Sequence, residues 1–546
     1  MRNACKTALA LVLATGLSGC SDFISGPGIT TNPNAVDQLS RPGPLYVGIQ
    51  AAQVVQYEGQ LARYAAMYTQ QVSGNSRQQI GYDRGTTGPG DTDTYFGAVY
   101  GSTRTVTGGG GLLDIHKMQQ VAHRVNDSVY VGIAKVYEAI TVGLAADFWG
   151  DIPYREAADS TILTPAFDPQ LQVYGDLIAQ LDSAINVYLP ANGPSNGGPP
   201  ADGSELIYND RGGDVDALRA VYTEVAHSLK ARLYMHLAEA NPANYALALA
   251  EVGPPGVNNG GPGISTPDND FLWYHDATPN GNNIWWQFAA ARGDIGPGSA
   301  LVEILNRRIA GGLEDDARLS FYFTPATDAG NVELGFAGFR PGGATDLATT
   351  GGIDNGNGLA GNDGQGGTAQ FYSTLGPIID GASGAGDFRT PMITWAETQL
   401  IGAEAALAAG NGGLAQQYLD AVRANRSFGT HGGVAVTFPA LGSVPASLQS
   451  VMEEKYVTLF LNPEVWSDYK RTCLPALAPA APANSTTPGS NPIPGRIPYG
   501  QTEINANPNT PGTNSAGSPV TPTGQNPNDP NACQVLNYTS SSPLAN

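Results

Sequence analysis

Between Ile393 and Asn425 the chain reads ITWAETQLIGAEAALAAGNGGLAQQYLDAVRAN. Ile393, Ala396, Leu400, Ala403 and Leu407 recur at three- and four-residue spacing, as one buried face of an α-helix requires. Leu414, Tyr418, Ala421 and Asn425 make a second such stripe, and Gly410-Asn411-Gly412-Gly413 separates the two. Helices joined by so short a glycine turn are expected to fold back on one another. The small residues Ala403, Gly410 and Ala415 suit the close packing of a tetratricopeptide-type hairpin, although the full consensus and clean tandem spacing are missing.

The same period returns on the N-terminal side. Val136, Tyr137, Ile140, Leu144 and Phe148 predict an amphipathic helix that stops at Gly150. Val173, Leu177, Leu181, Ala184 and Tyr188 predict another between Pro169 and Pro190, and Asp214 is placed to cap a third through Leu218, Tyr222, Val225, Leu229 and Leu233. A last segment runs from Val451 through Tyr456 to Phe460. Breaker-rich stretches occupy 191–213, 253–270, about 324–389 and 478–530. The helices flanking the longest are alike in character. The expectation is therefore one mainly α-helical domain over 20–546, with a loop-rich insertion at about 253–390 and a Pro/Asn-rich C-terminal segment at about 478–546.

Charge narrows the function. With 27 Lys plus Arg against 48 Asp plus Glu, the net charge of -21 repels a phosphate backbone, which argues against a nucleic-acid partner. Residues 1–19 carry Arg2 and Lys6 and then an apolar run from Ala8 to Leu17, followed by Leu17-Ser18-Gly19-Cys20. That is the pattern of a bacterial lipoprotein leader: cleavage before Cys20 exposes a thiol and an amine for acyl chains such as palmitate, and several chains anchor stably. The run is too short to span a bilayer, and nothing later reads as apolar enough to do so. Ser21 would become the second mature residue, where an Asp would favour retention at the inner membrane. Losing Cys5 with the leader and committing Cys20 to lipid leaves Cys473 and Cys533, expected to pair in an oxidising compartment, the alternative being two unrelated thiols.

Further motifs are Thr31-Asn32-Pro33-Asn34 after the lipidated cysteine and Gln70-Gln71-Val72-Ser73-Gly74 at an early helix end. Then come Asp147-Phe148-Trp149-Gly150-Asp151-Ile152-Pro153-Tyr154, the hairpin with Glu397, Glu404 and Arg423, Glu454-Lys455-Tyr456 with Trp466, Asp468 and Arg471-Thr472, and Arg496-Ile497-Pro498-Tyr499 with Asn507-Pro508-Asn509. In this order they resemble the SusD/RagB family of outer-membrane lipoproteins over nearly the whole chain. The resemblance implies a SusD-like scaffold of tetratricopeptide-like hairpins abutting a SusC-like TonB-dependent transporter, on the outer membrane and facing the exterior. It also implies ligand binding by irregular segments on another face. Cys473 departs from the glycine common after the Arg-Thr pair, which fits a disulfide particular to this chain. Among the motif residues, Trp149 is expected as a core anchor, and Glu454 and Arg471 as an ion pair.

Catalysis has no candidate constellation. Gly-x-Ser-x-Gly, P-loop and His-Glu-x-x-His patterns are absent from the sequence, His227 and His236 are poorly spaced as ligands, and Glu453 and Glu454 are adjacent on a helix. No cofactor is implied, and the Asp354-Asn355-Gly356-Asn357-Gly358 loop with Asp363 misses the alternating ligands of an EF-hand. Sugar capture needs aromatic faces flanked by amides and carboxylates. Trp273-Tyr274-His275-Asp276 and Asn282-Asn283-Ile284-Trp285-Trp286-Gln287 meet that description outside any clear amphipathic helix, with Tyr82 and Arg84 as a weaker second candidate. Adjacent Trp285 and Trp286 are not expected to face one core together. The sequence thus predicts a protein that captures an oligosaccharide and hands it to the transporter. The alternatives are a peptide-capturing RagB-like protein, a glycan-degrading enzyme and a helical scaffold that binds only proteins.

Overall fold

The computed structural model describes residues 40–511, leaving aside 75–76, 102–107, 160, 210–212, 280, 293, 311–315, 328–332, 337, 340, 342–373, 377–385, 478–479 and 481–492. Cys20, the Asn32-Pro33-Asn34 motif, the Asp354–Asp363 loop and Cys533 lie outside these residues. Contacts divide the chain into Met1–Pro42 and Gly43–Asn546, and the second unit carries the fold.

Its centre is the helix Ser128–Trp149. Asp127 caps it by accepting from the Val129 amide, and Gly150 ends it at φ 79°, a conformation that costs glycine little. The apolar period predicts one buried stripe, but here every residue except Lys135 is buried. Most positions between the stripe residues are Ala, Gly, Val or Thr, small enough for neighbours to close around them, and the buried Glu138 and Asp147 are bonded, to Tyr154 and Tyr174 among others. At Gly132 an added Cβ would lie 2.6 Å from Leu189 Cδ2. Contrary to expectation, this helix is long and apolar enough to cross a membrane, with a mean hydropathy of 1.4, yet 94% of that stretch is buried inside the protein. It is the core of the bundle, packed by the helices Leu112–Arg124, Gln170–Ser183 and Val215–Ala238. Asp214 caps the last of these, accepting from the Asp216 and Ala217 amides.

Consecutive helices joined by short turns pack in pairs: Val215–Ala238 with Ala243–Val252, and Trp395–Ala408 with Gly412–Ala424. The fold is a mainly helical, tetratricopeptide-like scaffold. In the second pair Thr394 and Asn411 cap the two helices through the Glu397 and Leu414 amides, and Gly410 turns the chain at φ 73°. Ile393 stands outside the helix, in the strand Pro391–Ile393 that pairs antiparallel with Phe271–Leu272. The close approach falls at Gly402, where a Cβ would meet the Tyr418 ring at 2.9 Å.

The recurring motifs find one another in space. Trp149 is fully buried and donates from Nε1 to the Pro498 carbonyl at 2.9 Å, while Arg496 and Tyr499 donate to the carbonyls of Trp149 and Asp151. Gln71 donates to the Tyr456 carbonyl and accepts from the Leu461 amide, so the early helix end is fastened to the helix Leu448–Thr458. The expected Glu454–Arg471 pair does not form. Glu454 accepts from Arg318 at 2.7 Å and Arg423 at 2.9 Å, and Arg471 pairs instead with Glu404 and Asp468. A helix advances about 100° per residue, so Lys455, not Glu454, reaches across to Asp468.

The insertion is more regular than its composition suggests. It contains the helices Ile284–Ala291, Ser299–Ala310 and Arg318–Tyr322, and short strand pairs stitch it to the scaffold, among them Ile295–Pro297 with Val72–Gly74. Cys473, at the end of the helix Glu464–Thr472, is held in a disulfide.

Candidate functional site

After Phe271 the backbone runs extended and its side chains alternate in burial: Phe271, Trp273 and His275 point in, while Leu272, Tyr274 and Asp276 stay half-exposed. Trp273 is fully buried against Tyr57 and Phe271, and His275 reaches Glu58 at 2.9 Å. On the outer row the Arg389 guanidinium lies 4.5 Å over the Tyr274 ring. The Asp276 carboxylate accepts from the Thr278 amide and hydroxyl, which hold it below the usual carboxylate range.

The second aromatic segment is a helix, not a loop. Asn283, expected to meet a ligand, is buried and caps Ile284–Ala291 through the Trp285 and Trp286 amides, while its own amide group donates to Phe388 O and Thr390 Oγ1. The helical turn separates the two tryptophans: Trp285 is 1% exposed, Trp286 half-buried. Gln287 donates back to the Asn282 carbonyl, and Asn282 donates to the Asp276 carbonyl, so the two segments form one unit. Beside it is a cleft of about 230 Å³, walled by Val54 and Val55 of the helix Gly43–Glu58 and by Trp273, Tyr274, Asn282 and Ile284.

Of the predicted residues, then, Tyr274, Asp276, Trp286 and Gln287 are half-buried, with Tyr274 lining the cleft, and Trp273, Asn283 and Trp285 are buried. Tyr82 belongs to neither group. It lies in the short helix Gln78–Asp83, buried, with its hydroxyl donating to Asp91 at 2.8 Å and its ring against Tyr64 at 4.9 Å. Arg84 lines a separate, much smaller cleft with Met67, Tyr68 and Asp83.

Sequence reasoning missed Arg63. This arginine of the helix Gln60–Tyr68 is 9% exposed, and its guanidinium lies 4.4 Å over the Phe288 ring and 6.0 Å from the centre of Trp285. Burial pushes it down to about 10. A lone cation in the apolar run Leu61–Tyr68 was the available signal.

Among the described residues one cluster has metal-ligand chemistry: Asp147, His236 and Glu464. Burial disfavours the charged His236 ring, but the Glu464 and Asp147 carboxylates outweigh it and raise the imidazolium to about 10. Arg232 and Lys470 add further positive charge around the same carboxylates. The three groups already act as an internal ion-pair network linking the central helix to Val215–Ala238 and Glu464–Thr472.

A SusD-like family model, described as starch-binding associating with outer membrane, matches residues 95–500. The chain belongs to the SusD-like family. Solved structures with the same fold include a SusD/RagB family protein of Bacteroides thetaiotaomicron, 17% identical, with a TM-score of 0.60 over 86% of this chain and 95% of that one. A SusD homologue of Bacteroides fragilis, 17% identical, matches with a TM-score of 0.58 over 86% of this chain and 94% of the other. A chitin-binding SusD homologue of Flavobacterium johnsoniae, 18% identical, matches at 0.56 over 85% and 92%. No curated protein matches. These likenesses show the SusD-like fold, in which the motif residues Trp149, Arg496 and Tyr499, and Gln71 with Tyr456, fasten N- and C-terminal parts of the scaffold together.

Proposed function

We propose that this protein captures a glycan at the outer membrane and passes it to a SusC-like TonB-dependent transporter, without catalysing a reaction on it. The observation that carries the reading is the bonded unit of the two aromatic segments, with Tyr274, Asp276, Trp286 and Gln287 half-buried, Trp273, Asn283 and Trp285 buried, and an apolar cleft lined by Tyr274. Aromatic rings stack on the apolar faces of pyranoses while amides and carboxylates bond the hydroxyls, and rigid placement lowers the entropy lost on binding. The family description and the chitin-binding homologue support a glycan ligand. The leader at 1–19 and Cys20 support a lipid anchor exposed to the exterior, and the hand-off follows from the SusD-like scaffold. Cys473 and Cys533 are proposed partners, which would tie the C-terminal segment to the scaffold.

The test is binding of the full chain in mild detergent to a panel of polysaccharides and peptides, beside Tyr274→Ala and Trp286→Ala. Selective glycan binding that falls roughly tenfold in Trp286→Ala is expected, as the loss of one stacking partner implies. Binding of peptides alone would make the protein a peptide-capturing relative. Glycan binding untouched by either variant would move the site elsewhere, and cleavage of a bound glycan would overturn the non-catalytic reading.

A further inference from the structure

Gln53 and Gln56 lie one turn apart on the helix Gly43–Glu58, Gln60 and Arg63 one turn apart on the next, Gln60–Tyr68, and Tyr95 joins the two pairs, its carbonyl taking a bond from Gln56 and its ring facing Arg63. All four are buried, and each has a polar atom that no described residue satisfies: Oε1 of Gln53 and Gln56, Nε2 of Gln60 and Nη1 of Arg63. The remaining atoms are engaged, with Gln53 donating to the Gly110 carbonyl, Gln56 to the Tyr95 carbonyl, and Arg63 Nε to Gln60 Oε1 at 3.1 Å. The indole Nε1 of Trp285, whose ring faces Arg63, is also buried without a partner. Buried polar groups are nearly always bonded, so several orphans on one seam call for an explanation.

Arg63 sharpens the point. Arg219, Arg232, Arg318, Arg423, Arg426 and Arg471 are also buried, and each has a carboxylate within ion-pair distance. Arg63 has an ion pair with no described residue; the groups that face it are the Tyr95, Tyr64 and Tyr82 rings and a second cation, Arg292. The aromatic face of Phe288 steadies the guanidinium but does not neutralise it. The seam opens to solvent at its rim, where Arg292 is exposed and Tyr95, Trp286 and Phe288 are half-buried.

We propose that this seam receives an anionic group on the captured glycan, the carboxylate of a uronic acid or a sulfate ester, with Arg63 and Gln60 donating to it. Gln53 and Gln56 accept from neighbouring ring hydroxyls, and Trp286 and Phe288 flank the sugar. The proposal rests on the glycan-capture reading and names the class of glycan.

The experiment uses the full chain in detergent against acidic polysaccharides, each beside its neutralised form: polygalacturonate, alginate, glucuronoxylan and hyaluronan with and without carboxyl reduction, and carrageenan with and without desulfation. At least one acidic polymer is expected to bind tenfold or more tightly than its neutral counterpart, by an amount that shrinks with added salt. The carboxylate and sulfate arms tell the two sources apart. Arg63→Gln should abolish the preference, Arg63→Lys should retain part of it, and Arg292→Ala, at an exposed position, should weaken it a few-fold with the fold intact. Neutral polymers bound as well as acidic ones would overturn this inference and leave glycan capture standing. An acid preference that survives in folded Arg63→Gln would overturn it too. Failure to bind any polysaccharide would remove both readings.

Discussion

Arg318 and Arg63 are both buried arginines, one in the C-terminal half of the scaffold and one in the second helix, and their surroundings differ in kind. Arg318 donates to Asp316 and Glu454, which in turn hold Arg426 and Arg423, so three guanidinium groups share two carboxylates with almost no solvent contact. Arg63 has a glutamine oxygen and an aromatic face. In the first arrangement every guanidinium has a carboxylate partner, although Arg426 Nη2 is left without a bond. The second keeps donors and acceptors in reserve. A buried charge that evolution had placed only for packing would be expected to carry its counter-charge, as Arg219, Arg232, Arg318, Arg423, Arg426 and Arg471 do, because an isolated ion in a protein interior costs several kcal/mol.

The sharpest way to break this contrast is to unbalance the complete network. Glu454→Gln removes the charge that two arginines share, and should destabilise the fold by about 3–5 kcal/mol in equilibrium urea unfolding. A loss under about 1 kcal/mol would mean that water or a rearranged Asp316 takes over. The His236 network offers a graded version. Its imidazolium is raised from 6.5 to about 10 in the folded state, so the stability it contributes is complete below pH 6.5 and is lost as pH climbs toward 10. The urea midpoint of the native protein should therefore fall across that window more steeply than that of His236→Gln; parallel curves would show that the ring is not charged in the fold.

How far these features could be read from the sequence follows the range of the interaction involved. The hairpin, the Asp214 cap and the stop at Gly150 are local, and the three-four period with its flanking residues is enough to predict them. The Glu454–Arg471 error shows where that stops: both residues are charged, buried and close along the chain, but the partner each one takes depends on which element approaches which helix face. The aromatic segments fail differently. Trp273 and Trp285 have the composition of a sugar platform, yet an alternating strand turns one inward and a helix capped by Asn283 turns the other, leaving Tyr274 and Trp286 at the surface. Arg63 left one trace, a lone cation in the apolar run Leu61–Tyr68, but its lack of an ion pair among the described residues is a three-dimensional fact that this trace does not carry.

The smallest expected effect is the most informative. Arg63→Gln removes a cation–π contact worth about 1 kcal/mol with Phe288, and at the same time removes a buried charge that has no counter-ion. These oppose one another, so Arg63→Gln should range from a loss of at most about 1 kcal/mol to a net stabilisation, against about 3–5 kcal/mol lost in Arg318→Gln measured alongside. Glutamine keeps much of the side chain's length, so the comparison reads charge more than packing. If the two variants lose stability equally, Arg63 belongs to the scaffold and its open donors are incidental. If Arg63→Gln is neutral or stabilising, the native protein carries a strained cation that its own fold does not need, and selection must have kept it for something that arrives from outside.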